Sequence, residues 1–147
     1  MVDRSHIGRV LPSHSAVVEP GRLRLFAKAI GETRPEYVDE AAARAAGHPG
    51  LPAPPTFALC LDLEVPDPFR WMAELGVDIA KILHGGERFH YFAPIFAGDR
   101  LTFASHIADV HEKKGGALTF IIKVTDVTNQ HGVHVAEMRA TIIVRSG

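Results

Sequence analysis

The side chains best suited to acid–base chemistry in this chain crowd into one short stretch, Gly31-Glu32-Thr33-Arg34-Pro35-Glu36-Tyr37, with two carboxylates, a guanidinium and a phenol in seven positions. Those residue types can move protons. Glu32 could act as a base or orient a water, since burial would lift a carboxylate pKa toward the useful range. A tyrosine with an ordinary pKa near ~10 stays protonated at neutral pH and is a poor base. Tyr37 is a candidate site residue only if strongly perturbed; otherwise it simply packs its ring while its hydroxyl finds a partner. His84 stands apart in LHGGERFHYF, beside Gly85-Gly86 and near Glu87. A histidine exchanges protons readily at neutral pH; the plainer reading is a strand histidine hydrogen-bonded to backbone. His90 would share its face only if no bulge intervened at the glycine pair. The nine histidines include no HxxxH or HExxH spacing, and the single Cys60 excludes an intrachain disulfide or a multi-cysteine site. No metal is expected.

The elements that must hold these residues follow from periodicity. Pro20 opens a helix whose stripe is Leu23, Phe26 and Ile30, widened by Leu25 and Ala29, and Gly31 suits the left-handed position that closes it. Asp39 can cap a second helix, EAAARAAG, which Gly47 ends. After the loop HPGLPAP, Thr56 can cap a third, Thr56 to Val65, apolar on nearly every side and therefore expected to be buried. A helical turn over residues 69–75 stops at Gly76. Beyond it the period becomes two, with a bulge expected at Gly85-Gly86 and then three long strands joined by the turns HEKKGGA and NQHG, an antiparallel meander. A short extended piece, Ser15 to Val18, precedes the first helix. Gly98-Asp99 reads as a turn in which the aspartate bonds backbone amides. Helices first and strands afterwards predict an α+β fold with an antiparallel sheet around the one buried helix.

With 147 residues, 46% hydrophobic, 22% charged and a net charge of −1, the chain fits one globular domain over residues 1–147. No basic excess points to nucleic acid, and no apolar run is long enough to span a membrane. The N-terminus is too polar for a secretory signal, so cytoplasmic residence is the expectation.

Taken together, IGRV, EPGRLRLFAKAIGETRPEYVDEAAARAAG, LPAPPTF and FHYFAPIFAGDRLTF resemble the hot-dog fold of MaoC-like dehydratases and (R)-specific enoyl-thioester hydratases over nearly the whole chain. The resemblance is closest to the N-terminal dehydratase-like domain type, which also forms half of the dehydratase region of type I fatty-acid synthases and the non-catalytic subunit of the mycobacterial heterodimeric 3-hydroxyacyl-carrier-protein dehydratase. In the hydratase branch the turn reads Gly-Asp-x-Asn-Pro-x-His, and its Asp and His are the acid/base pair. Here Glu32 stands at the Asp position, Arg34 at the Asn position and Tyr37 at the His position, with His84 as a possible replacement for the missing histidine. The resemblance also implies that backbone amides of Thr56, Phe57 and Ala58 hold the thioester carbonyl. It implies no cofactor beyond the CoA or acyl-carrier-protein phosphopantetheine of the substrate, and a homodimer or a heterodimer with a second hot-dog chain. Three functions stay open: a (R)-3-hydroxyacyl-CoA/ACP dehydratase (enoyl hydratase) or its acyl-binding subunit; a non-catalytic acyl-CoA-binding module; and a hot-dog thioesterase, which the GETRPEY turn fits less well.

Overall fold

Apolar periodicity decides which faces close on one another. In the computed structural model, which describes residues 2–146, the chain runs β1 (His14–Val17), α1 (Pro20–Ala29), α2 (Glu40–Ala45), α3 (Phe57–Asp62), α4 (Arg70–Glu74), β2 (Ile82–Tyr91), β3 (Arg100–Lys113), β4 (Leu118–Thr128) and β5 (His134–Arg145). The strands form one antiparallel sheet in the order β1-β3-β4-β5-β2. One face of the sheet packs on α3: Phe57, Ala58 and Leu61 lie in a single core with Leu101, Phe103, Val127, Ala136 and Met138. This is the expected α+β hot-dog arrangement.

Three local expectations need correction. In α1 the buried residues are Leu23 and Ala27, with Phe26 packed edge-on against Phe57 at 5.4 Å; Leu25 and Ile30 are exposed. The buried stripe is narrower because only Leu23 and Ala27 are covered, while Leu25 and Ile30 face away from the core. α3 spans six residues, not ten, and Leu63 just beyond it is 41% exposed. It buries Phe57, Ala58, Leu61 and Asp62, a helical face, while Leu59 and Cys60 are only partly covered. Thr56 makes no side-chain cap, since its φ of −106° and ψ of 0° lie outside the extended geometry from which a capping hydroxyl reaches the next turn. Other signals agree with the structure. Asp39 Oδ1 accepts from the Ala42 amide at 2.7 Å, and Asp99 Oδ2 from the Phe96 amide at 2.9 Å.

The register of β2 on β5 shifts between His84 and Gly86, leaving Gly85 as the extra residue. A side chain at Gly85 would collide with Ile143, whose Cδ1 lies 2.8 Å from where its Cβ would sit. With the bulge, His84 and Glu87 share the helix-facing side and His90 falls on the other.

The helix-facing side of β4 carries Lys123 and Thr125 as well as Ile121 and Val127. Lys123 and Thr125 each have a partner. Ser105 and Thr125 hydroxyls meet at 2.8 Å, and Lys123 Nζ donates to Asp62 Oδ2 at 2.7 Å. Asp62 is 5% exposed. Ala140 pairs with Lys123 on one side and with Glu87 on the other. Removing one partner of a buried pair strands the other charge. Asp62→Ala is therefore expected to cost about 3–5 kcal/mol in urea unfolding, and Asp62→Leu with Lys123→Met to recover most of it. A loss below about 1 kcal/mol in the single variant, the range of exposed pairs, would show that the pair does not hold α3 in place.

Candidate functional site

The turn after α1 is set by backbone before any side chain acts. Gly31 adopts φ +72°, and the Glu32 amide reaches back to the Ala27 carbonyl at 2.9 Å, which ends the helix. Pro35 then opens a single 3₁₀ turn, Pro35–Tyr37. The Glu32 carboxylate accepts three hydrogen bonds from Arg34: the backbone amide at 3.0 Å, Nε at 3.1 Å and Nη2 at 2.8 Å. The same guanidinium lies 4.6 Å from the centroid of the Tyr37 ring. These bonds stabilise the ionised carboxylate and bring the Glu32 pKa down to about 2. A carboxylate so stabilised is a weak base at neutral pH. Within this geometry Glu32 clamps the turn and orients Arg34 over Tyr37.

Tyr37 lines a cavity of about 450 Å³ with His48, Pro52–Pro55 and Tyr91–Ile95. Each wall has a local cause. Gly47, at φ +90°, ends α2, and the His48 amide donates to the Ala43 carbonyl at 3.0 Å, throwing the chain out at His48. The LPAPP segment then runs along the strip after β2: Ala97 donates to the Leu51 carbonyl and Ala53 to the Ile95 carbonyl, both at 2.8 Å. Its prolines keep that approach to α3 stiff. Across the cavity the Tyr91 hydroxyl donates to the Pro55 carbonyl, and desolvation pushes the Tyr91 pKa up to about 12. Tyr91 is a fixed donor. The imidazole of His48 lies 5.6 Å from the Phe96 ring and has no hydrogen-bond partner among the described residues.

The three residues at the start of α3 sit just past this cavity, whose wall ends at Pro55. Thr56 is exposed, while Phe57 and Ala58 are buried. The Phe57 amide already donates to the Pro54 carbonyl at 3.0 Å, which withdraws one of the three donors assigned to a thioester carbonyl. His84 is outside the cavity altogether. It is exposed on β2, with Nε2 3.6 Å from Glu87 Oε2. Burial raises the Glu87 pKa, opposed by His84 and Lys123. The structure thus brings Tyr37 to the approach to α3 and leaves His84 elsewhere. His48 and Tyr91, which line the cavity, were not legible as site residues. His48 is a lone histidine in a loop, and Tyr91 reads as one member of an alternating strand. Among the described residues no group of three or more His, Cys, Asp or Glu could hold a metal, and no helix is long and apolar enough to cross a membrane.

Residues 5–138 match the family model described as "FAS1-like, dehydratase domain region". A UPF0336 protein of Saccharopolyspora erythraea is 36% identical over 146 residues, covering 98% of this chain and 92% of its own. Another, from Streptomyces griseus, is 37% identical, covering 99% and 96%. Among solved structures, the C-terminally truncated HadBC (3R-hydroxyacyl-ACP dehydratase) complex of Mycobacterium tuberculosis superposes with a TM-score of 0.78 at 30% identity, covering 94% of this chain and 96% of that one. A MaoC-like dehydratase from Rhodospirillum rubrum, at 23% identity and a TM-score of 0.70 over 95% of this chain and 92% of its own, shares the fold.

The Glu32 clamp has a pH signature. Its folded pKa is depressed from 4.5, so its contribution to stability is complete above that value and is lost as pH falls toward about 2. In Arg34→Ala the Glu32 carboxyl resonance, followed by NMR, is expected to titrate well above the wild-type midpoint but short of 4.5, because the bond from the residue-34 backbone amide remains. A wild-type midpoint already near 4.5 would show that the clamp does not form in solution.

Proposed function

The chain belongs to the FAS1-like dehydratase-region family, and we propose that it handles acyl thioesters, as a (R)-3-hydroxyacyl-CoA/ACP dehydratase (enoyl hydratase) or as the acyl-binding subunit of one. The observation that carries this reading is the cavity between the Gly31–Tyr37 turn, the stiff LPAPP approach to α3 and the end of β2. Its walls are largely proline, alanine and aromatic, with a few polar groups converging from Tyr37, His48 and Tyr91, the usual makeup of a pocket for an apolar chain with a polar reacting end. Dehydration of a 3-hydroxyacyl thioester needs the α-proton removed, the enolate-like carbonyl stabilised and the departing hydroxyl protonated. The Thr56 and Ala58 amides are proposed for the carbonyl and the Tyr37 hydroxyl as a donor to oxygen. The CoA or phosphopantetheine arm would arrive with the substrate.

A partner is part of the proposal. Among the described residues β2 pairs with β5 alone, so its outer edge presents unpaired backbone groups. Leu83 lies exposed on it, and Phe92 is exposed just past its end. Pairing with the matching edge of a second hot-dog chain, the same or a different one, would cover both. The Glu32–Arg34 clamp favours a second reading, an acyl-CoA-binding module without turnover, because the carboxylate at the family's acid/base position is a weak base here.

Hydration of crotonyl-CoA and longer trans-2-enoyl-CoAs, measured alone and with a MaoC-like partner, separates these readings. Turnover alone, lost when the β2 edge is charged by Leu83→Lys, is the expected outcome for a homodimeric enzyme. Turnover only in the mixture assigns the subunit role. Calorimetric binding without turnover in either case leaves the module, and absence of both sinks the thioester reading.

A further inference from the structure

We infer that His48 is the proton-transfer group of this chain, standing in the cavity where the turn offers only Tyr37. The inference rests on the thioester reading above and adds a residue that the turn motif does not contain. Three titratable side chains line the cavity: Tyr37, His48 and Tyr91. Tyr91 is committed as a donor to the Pro55 carbonyl, and its pKa lies near 12. Tyr37 sits beneath the Arg34 guanidinium, and Glu32, which does not line the cavity, is held by Arg34 at a pKa of about 2. His48 alone is of a type that both takes and returns a proton near neutral pH. Its placement is fixed by backbone: the Gly47 turn, the bond to the Ala43 carbonyl, and the Leu51–Ala97 pairing three residues on. Its ring is half-buried against Phe96 and free of protein hydrogen bonds among the described residues, as a group that must reach a substrate requires.

The step balances with one group. The neutral imidazole takes the α-proton, and the C–H electron pair becomes the new Cα–Cβ bond as the Cβ–O bond breaks. The imidazolium returns that proton to the departing hydroxyl, which leaves as water, and His48 ends neutral. Hydration runs the same path backward. Neither oxidant nor metal is needed.

The test is enoyl-CoA hydration by the full chain, alone and with its MaoC-like partner, in His48→Gln, His48→Ala and the exposed-loop control His131→Gln. Expected is a fall in kcat of about 10²–10⁴-fold in both His48 variants with KM within a few-fold, partial rescue of His48→Ala by added imidazole, and no change in the control. A purely structural His48 would not be rescued by imidazole. Retention of kcat within about threefold in His48→Gln, alone or in the mixture, overturns the inference. So does wild-type protein that binds enoyl-CoA by calorimetry yet shows no turnover in either setting, an outcome that leaves acyl binding standing. Failure to bind any thioester defeats the underlying reading itself.

Discussion

The ion pair between Asp62 and Lys123 is the constraint to which the rest of the molecule answers. A carboxylate on the last residue of a short helix faces the negative end of the helix dipole, and at 5% exposure it has little water to offset that. The cation that compensates it comes from β4, the strand in the middle of the sheet. The bond therefore ties the C-terminal end of α3 to the sheet. It also gives the lysine that β4 turns toward the core its partner, as Ser105 does for Thr125. With that end pinned, the opposite end of α3 is set beside Tyr91 and the proline-rich approach.

Around that opposite end, proton-handling capacity is distributed unlike the motif. The carboxylate at position 32 is bonded by Arg34, and Arg34 in turn covers the ring of Tyr37. The turn has become a self-satisfied polar unit that shapes one wall of the cavity. Tyr91 performs a similar service on the far wall by holding the Pro55 carbonyl. Glu32 and Arg34 are thus spent on one another, and His48 lines the cavity with its ring packed near Phe96 and no hydrogen-bond partner among the described residues.

The sheet edge and the cavity are continuous in sequence: β2 ends at Tyr91, and residues 91–95 line the cavity. In the proposed edge pairing, that contiguity would place a second chain beside the cavity.

Much of the architecture was legible in the residues alone. Period-two alternation gave the three long strands, Gly31 and Gly47 the helix ends, Asp39 a cap, and Gly85-Gly86 a bulge, because each is a local rule of backbone geometry. The family assignment was legible for the same reason, since its strings mark turns and helix starts. What the sequence could not determine depended on neighbours distant along the chain. Leu25 and Ile30 fit a helical stripe but have nothing above them, and the length of α3 was overestimated because apolar composition does not reveal where the covering sheet stops. Asp62 and Lys123 are 61 residues apart, and neither looks unusual until α3 lies on β4. The same holds for the site. Tyr37, His48 and Tyr91 belong to three separate segments that only tertiary packing brings to one cavity, and the hydrogen bonds from Arg34 that lower the Glu32 pKa become visible only once the turn is folded.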